Sequence, residues 1–447
     1  MSKNLAGMDL DTLGMPEAPG SPETLKEAGL TMGFINDLIL KSLYLRGAML
    51  GRDLAQFMCL PFKVIRDSLK FLKDEKCIEV NGGDLVGEVS YRFNLTDLGR
   101  QRAHDAMKQC AYCGPAPVPL EDYVEQCYRQ AVTGISCSPE TIRASFSHLV
   151  LRDELFNAIG PAIISGRSVF IYGPPGNGKT AIARSIADFM NSAGGAIYIP
   201  YAFLADHSIV TLYDASLHQL DLDQSLDSHE DSDVSVRRLL TGGNIDARWV
   251  RIRRPVIVTG GELTLNMLDL RYNADANFYQ APIHFKANGG VFLIDDFGRQ
   301  IVSPKELLNR WILPLEDRHD FLTVASGKKI QVPFEQLIIF STNLDPNDLV
   351  DDAFLRRIRH KVQILAPQKD VYERIFAAMT KKLGMNPCPE AIEYLYHRYY
   401  DRGRSPRASD ARDLLEIVQS ICRYRRQPVH LTRELIAEAA STFIAEF

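Results

Sequence analysis

Gly173, Gly178, Lys179 and Thr180 stand in the spacing GxxxxGK[ST], inside the run SVFIYGPPGNGKTAIARSIADFM. An apolar, strand-like stretch precedes the glycines and a helical pattern follows them, which is the order that anion binding requires. A loop of Gly173, Pro174, Pro175, Gly176, Asn177 and Gly178 can curl its backbone around phosphate oxygens, and a helix opening at Lys179, Thr180 and Ala181 adds the partial positive charge of its N-terminus. The Lys179 ammonium then reaches the terminal phosphates and the Thr180 hydroxyl ligates Mg²⁺. The spacing therefore predicts a site for a nucleoside triphosphate, ATP with Mg²⁺.

Downstream, VFLIDD ends an apolar run in Asp295 and Asp296. Two aspartates after a strand can simply cap a helix. Behind a phosphate loop they read differently: in phosphoryl-transfer ATPases the first carboxylate of such a pair holds Mg²⁺, alongside Thr180, and the next residue orients the attacking water.

With these motifs in place, residues 139–447 resemble the AAA+ ATPases. The resemblance implies that Asn343, at the end of LIIFSTN, is the polar residue called sensor 1. It implies that the Arg356 and Arg357 pair in AFLRRIRHKV enters a neighbouring subunit as arginine fingers, Arg357 first and Arg356 second. In DARDLLEI it implies a sensor 2 role for Arg412 over the γ-phosphate, with Arg407 of GRSPRAS as the fallback. Many relatives carry Glu where Asp296 stands; the shorter side chain means a water held closer to the backbone or slower hydrolysis. A finger supplied in trans implies a homo-oligomer, a hexamer or similar closed ring, acting on a macromolecular client.

The hairpin-like FLTVASGKKIQVPF before sensor 1 is similar to that of the MoxR, magnesium-chelatase and sigma-54-activator branch, in which Phe278 and Tyr279 of NADANFYQ would be pore-facing candidates; packing of these rings against a sheet is the alternative. The GAFTGA loop of sigma-54 activators is absent from the sequence. Between Leu220 and Asp233 lie six carboxylates and no Lys or Arg, read as a solvated loop or an acidic docking segment, with Arg251, Arg253 and Arg254 as partners for it or for a ring neighbour.

These residues need elements to hold them. The runs SVFIYG, AIYIPYAF, PVIVTGG, GGVFLIDD, LIIFSTN and KVQILA alternate with helical stretches, so the fold class is α/β, a parallel sheet with flanking helices over residues 139–368. Residues 369–447 are purely helical and form a lid. Residues 1–33, rich in Gly, Pro, Glu and Ser, read as a flexible arm, and 108–138, with GPAPVP, as a linker. Over 34–107, three helical runs and a Gly-rich hairpin resemble a winged helix-turn-helix domain, with the helix after Pro61 in the recognition position.

Composition bounds the function. The 447 residues carry 51 basic and 56 acidic side chains, a net −5, so no global field recommends a polyanion and any DNA contact must be local. Lys63, Arg66, Lys70 and Lys73 could supply one through the winged helix, but Asp67, Asp74 and Glu75 interleave with them. No apolar run reaches the ~20 residues of a membrane helix, and the N-terminus lacks the order of a secretory signal, so no membrane partner and a cytoplasmic location are expected. Eight cysteines, with Cys110 and Cys113 as one isolated CxxC, are expected to be free thiols. Two functional readings follow: an ATP-driven remodeller of a protein client, or a DNA-bound regulator switched by ATP.

Overall fold

The computed structural model describes residues 17–83, 87–135, 137–221, 245–349 and 355–444. The acidic stretch from Leu220 lies outside them beyond Asp221, which pairs with Arg251 at 2.9 Å.

The first unit comprises helices α1 (Met32–Arg46), α2 (Gly51–Met58), α3 (Phe62–Asp74) and α4 (Asp97–Gln109), with strands β1 (Met49–Leu50), β2 (Ile78–Gly83) and β3 (Tyr91–Leu95). The strands form an antiparallel sheet in the order β1-β3-β2, with Val80 opposite Phe93. Thr31 starts α1 by accepting a hydrogen bond from the Phe34 N–H, and Pro61 separates α2 from α3 because it fixes its own backbone outside the helix. Ile35, Leu38, Ile39, Leu54, Ile65 and Leu72 fill the centre of this unit.

Two expectations are corrected here. Residues 17–31 are not a free arm: Ala28 and Leu30 are buried, Gly20 bridges Ile245, and the Arg248 guanidinium donates to the Ala28 carbonyl at 2.7 Å. Nor is 108–138 a bare linker. It supplies β4 (Val118–Pro119) and α5 (Leu120–Arg129), and Gln130 joins the Tyr198 backbone through both ends of its amide. Gly and Pro there mark turns between short elements, not the absence of structure.

Helices α6 (Pro139–Ser145) and α7 (Asp153–Ser165) lead into β5 (Ser168–Tyr172) and α8 (Lys179–Gly194). Next come β6 (Ile197–Pro200), β7 (Ala202–Ala205), β8 (Ser208–Thr211), β9 (Trp249–Ile252) and β10 (Val256–Thr259), then β11 (Arg271–Asn273), β12 (Phe278–Gln280) and β13 (Val291–Ile294). Helix α9 (Pro304–Asp317), the hairpin β14 (His319–Thr323) and β15 (Lys329–Pro333), β16 (Leu337–Thr342), the short α10 (Pro346–Leu349) and β17 (His360–Gln363) complete this part.

Five strands form a wholly parallel sheet in the order β10-β13-β16-β5-β17, so the fold is α/β. Its central strands are covered on both faces. Val291, Phe292, Leu293 and Ile294 of β13 and all of β16 are buried, which is why these segments read as unbroken apolar runs. Phe170 stacks on Phe340, and Phe297 and Trp311 close the same side.

AIYIPYAF is not part of this sheet. Its residues divide between β6, antiparallel to β9, and β7, which belongs to a second sheet ordered β11-β12-β8-β7-β4. Phe278 and Tyr279 lie on β12 within that sheet. Tyr279 is buried and its hydroxyl accepts the Ala325 N–H, while the partly buried Phe278 packs edge-on against Tyr112, so both rings pack on this sheet. Arg254 is likewise buried, donating to the carbonyls of Gly194, Gln130 and Gly289, and is not available to an acidic segment or a neighbour.

The C-terminal part is helical: α11 (Lys369–Lys382), α12 (Pro389–Arg398), α13 (Ala408–Tyr424) and α14 (Arg433–Phe443). Leu395, Leu414, Leu415, Val418, Ile436 and Ala440 form its own core.

Candidate nucleotide-binding site

The strand β5 delivers Gly173 to the sheet's edge with φ 139°, and a side chain there would meet the Ile364 carbonyl at 2.0 Å, so only glycine fits. Gly178, φ 83°, turns the chain into α8 with open space at its Cα. The loop thus wraps around the helix N-terminus as its spacing predicts. Lys179 is folded back over it, Nζ donating to the Gly173 and Pro174 carbonyls at 2.9 Å each. Burial pushes the Lys179 pKa below the ordinary 10.5, while Asp295 and Asp296 pull it back up.

Opposite, β13 leads directly into Asp295, whose carboxylate accepts the Thr180 hydroxyl at 2.8 Å and whose N–H donates to the Thr259 carbonyl. A hydroxyl and a carboxylate meeting at one point, beside a loop of glycines, is a donor set suited to a hard, oxygen-seeking cation such as Mg²⁺. Asp296 follows in the left-handed region, φ 50°. Aspartate tolerates that conformation better than longer side chains, and its Oδ1 accepts the Asn343 amide at 3.1 Å. The tips of β13 and β16 are tied by the Phe297 N–H to the Ser341 carbonyl at 2.7 Å and by the Thr342 hydroxyl to the Phe297 carbonyl at 2.6 Å. These bonds fix Asp295, Asp296 and Asn343 relative to one another.

The helical part closes the site from above. The Ser409 N–H donates to the Gly176 carbonyl at 2.8 Å, and the Ala408 N–H to the Asn177 side-chain oxygen at 3.1 Å. The first turn of α13 is therefore docked on the loop itself. Between them lies a cavity of about 760 Å³, lined by Pro175 to Ile182, Asp295, Asp296, Asn343 and Arg412 on its polar side. Leu149 to Leu151, Ile375 and Met379 make its apolar side, and His148 and Lys382 also line it.

Lys179, Thr180, Asp295, Asp296, Asn343 and Arg412 thus come together, although 233 positions separate Lys179 from Arg412 in sequence. Arg412 presently holds Asp413 at 2.9 Å; Arg407 lies at the same end of α13, against Gly176. Arg356 and Arg357 do not line the cavity. Arg357 pairs with Glu316 at 2.8 Å, and Arg356 is exposed. Sequence reasoning missed the apolar side, because Leu149–Leu151 and Ile375–Met379 carry no motif. It also missed the grip of Asn177 on the lid, which no spacing encodes.

Residues 368–442 match a family described as a domain of unknown function (DUF8689). No curated protein matches the chain. Among solved structures, the chain is similar to NtrX from Brucella abortus at 15% identity and a TM-score of 0.40, covering 68% of this chain and 57% of that one. It is also similar to domain III of the replication initiation protein DnaA from Thermotoga maritima, at 14% identity and TM-score 0.35, covering 70% of this chain and 100% of that one. A third is the Thermotoga maritima RuvB Holliday junction branch migration motor, at 15% identity and TM-score 0.34, covering 68% and 70%. The chain spans little more than half of the NtrX chain.

Proposed function

We propose that the protein is an AAA+ ATPase that binds and hydrolyses Mg·ATP and couples the cycle to remodelling of a macromolecular partner. One observation carries this reading: Lys179, Thr180, Asp295, Asp296, Asn343 and Arg412 converge from three parts of the chain on a single cavity. The glycine loop cradles the phosphates, and Lys179 exchanges its two carbonyl partners for phosphate oxygens. Thr180 and Asp295 would hold Mg²⁺, which supplies neutralisation of charge developing on the phosphates. Asp296 accepts a proton from and orients the attacking water, with Asn343 fixing its carboxylate, while Arg412 turns from Asp413 toward the γ-phosphate.

Among the described residues no second arginine lines the cavity, so a finger would come from a neighbouring copy in a ring such as a hexamer. Arg356, exposed, is better placed for that role than Arg357, which Glu316 engages. The hairpin β14–β15 lies where the MoxR and chelatase branch carries one and favours that branch.

Replacing Lys179 with Ala should abolish nucleotide binding in a direct titration of the purified chain. Full turnover by that variant sinks the assignment. Arg356→Ala should lower turnover by about 10³-fold, the lower end of what a finger supplies, and unchanged turnover with Arg357→Ala alone impaired would reverse the order of the pair.

A second reading, a DNA-bound regulator, is favoured by the first unit, whose α1–α4 and β1–β3 have the order of a winged helix. Lys63 pairs with Glu23 and the exposed Arg66 with Asp67, which leaves Lys70 and Lys73 as the exposed cations of α3 that form no ion pair among the described residues. Titration of the full chain on duplex DNA at two salt concentrations tests it. Binding that weakens with salt and is lost in a Lys70→Glu, Lys73→Glu variant supports this reading, and no duplex binding removes it.

A further inference from the structure

Charge is balanced along most of the chain but not in residues 394–433, which hold nine arginines, no lysine and four carboxylates. The concentration peaks at the C-terminal end of α13, in Arg423-Tyr424-Arg425-Arg426, where every residue from 423 to 428 is exposed. Tyr424 is 90% exposed, the most exposed of the large apolar side chains among the described residues. Arg425 is committed to Glu438 through two contacts of 2.7 and 2.8 Å. Arg423 and Arg426 form no ion pair among the described residues.

The backbone of this turn carries a second signal. The Gln427 N–H donates to the Cys422 carbonyl and the Arg426 N–H to the Arg423 carbonyl, the paired closure in which one residue past the helix turns left-handed. That residue is Arg426, φ 55°. Glycine is the residue that takes this conformation without strain, and an arginine there costs about 1 kcal/mol. One cation suffices to complement a helix C-terminus, so capping alone does not account for three arginines here; the left-handed residue itself is not peculiar to this turn, since the same closure after α3 carries Lys76 at φ 55°. Helix α13 has 17 residues and is about 25 Å long at 1.5 Å per residue, so this turn is at the far end of the helix from Ser409 and Arg412. It is a surface separate from the nucleotide cavity.

We propose that the turn Arg423–Arg426 is a contact surface for single-stranded nucleic acid, with Tyr424 stacking on a base and Arg423 and Arg426 bracketing the adjoining phosphates. The guanidinium fork matches phosphate oxygens in pairs, which an ammonium cannot do. The protruding ring discriminates between polyanions. An acidic protein segment would satisfy the arginines and leave the ring in water. A duplex keeps its bases stacked, whereas a single strand offers a base face to every aromatic side chain it meets. Because the turn belongs to the same helix whose first residues grip the phosphate loop, a strand held here would move with the lid.

The test uses the full chain without nucleotide, so that it stands or fails apart from the ATPase reading. A labelled oligothymidylate is titrated at low and physiological salt, beside a duplex of equal length. Wild type should bind the single strand more tightly than the duplex, and Tyr424→Ala should weaken it about tenfold, as expected for one stacked base. Arg426→Gly should weaken binding and flatten the salt dependence by about 0.7 in log–log slope while leaving the thermal midpoint unchanged or higher, which separates lost contact from lost fold. Four results overturn the proposal: no binding by wild type; wild-type affinity in both variants; displacement of the strand by polyglutamate as effectively, charge for charge, as by unlabelled strand; or loss of strand binding in Lys70→Glu, Lys73→Glu with Tyr424→Ala unaffected.

Discussion

The candidate nucleotide cavity and the arginine turn occupy the two ends of α13 and hold their cations in opposite ways. Lys179 is buried against two carbonyls with carboxylates nearby, so its charge is already organised before any ligand arrives. Arg423 and Arg426 stand in water. Each region contains one non-glycine residue in the left-handed region, Asp296 at 50° and Arg426 at 55°. The residue types differ in how well they accept it. Aspartate visits that region readily, and at 296 it aims a carboxylate at Asn343; arginine does so less readily, and at 426 its side chain forms no ion pair among the described residues. A concave site is recognised by what converges on it. A convex one is recognised by the charged and aromatic groups it leaves without a partner among the described residues.

The comparison breaks most visibly at Asp296. Asp296→Asn keeps the hydrogen bond with Asn343 possible but removes the proton acceptor, so turnover should fall by about 10² to 10³-fold, within the range of general base catalysis, with nucleotide binding retained. Tyr424→Ala should leave turnover without nucleic acid where it was. Rapid hydrolysis by Asp296→Asn would move the base elsewhere and remove the reason for an aspartate at this position.

Asn177 sharpens the contrast from inside the cavity. Its side-chain oxygen caps the Ala408 N–H, and truncation to Ala leaves that amide without a partner at a cost of about 1–3 kcal/mol. Asn177→Ala should therefore loosen the lid and raise KM about tenfold with kcat nearly unchanged. An equal fall in kcat would mean that Asn177 acts on the reacting phosphate and not through the lid. At the other end of the helix, Arg426→Gly should stabilise the helical part by about 1 kcal/mol, a rise of roughly 4 °C in its melting midpoint for a unit of this size. Destabilisation would show that the arginine makes a contact the fold relies on.

Much of the candidate site was legible because its parts are contiguous or fixed by a strong period. Gly173 to Thr180 form one motif between a strand and a helix, and the buried strands β13 and β16 announce themselves as apolar runs ending in Asp295 and Asn343. Strands of two to four residues were harder. Val118–Pro119 reads as part of a Pro-rich linker because its partner, β7, lies 85 positions away, and nothing local marks the pairing. Burial of Ala28 beneath Arg248 is also a product of tertiary contact, invisible in a Gly- and Pro-rich segment. For Phe278 and Tyr279, spacing could not separate a ring that packs from one that projects. The Ala325 N–H on the Tyr279 hydroxyl decides it. The turn at Arg426 is legible in hindsight only as a missing glycine after a long helix, a signal that composition dilutes.

The smallest effect expected is one of pH, and it distinguishes the two regions by the chemistry of their cations. Burial lowers the Lys179 pKa from 10.5, so the folded chain disfavours the ammonium more than the unfolded chain does. Its folded-state value is the lower one, and stability therefore rises as pH climbs from that value to 10.5, because over this interval the unfolded state binds the extra proton. Phosphate binding needs that proton. Nucleotide affinity should accordingly decline as pH rises from neutrality toward 10.5, while the chain without nucleotide becomes slightly more stable. Guanidinium groups stay charged throughout, so affinity of the arginine turn for oligothymidylate should be flat from neutrality to about pH 9, below the range in which phenols and thymine bases ionise. Parallel titrations of both ligands across that interval check the contrast. A parallel decline of both affinities would place a shared titrating group, not Lys179, behind the change.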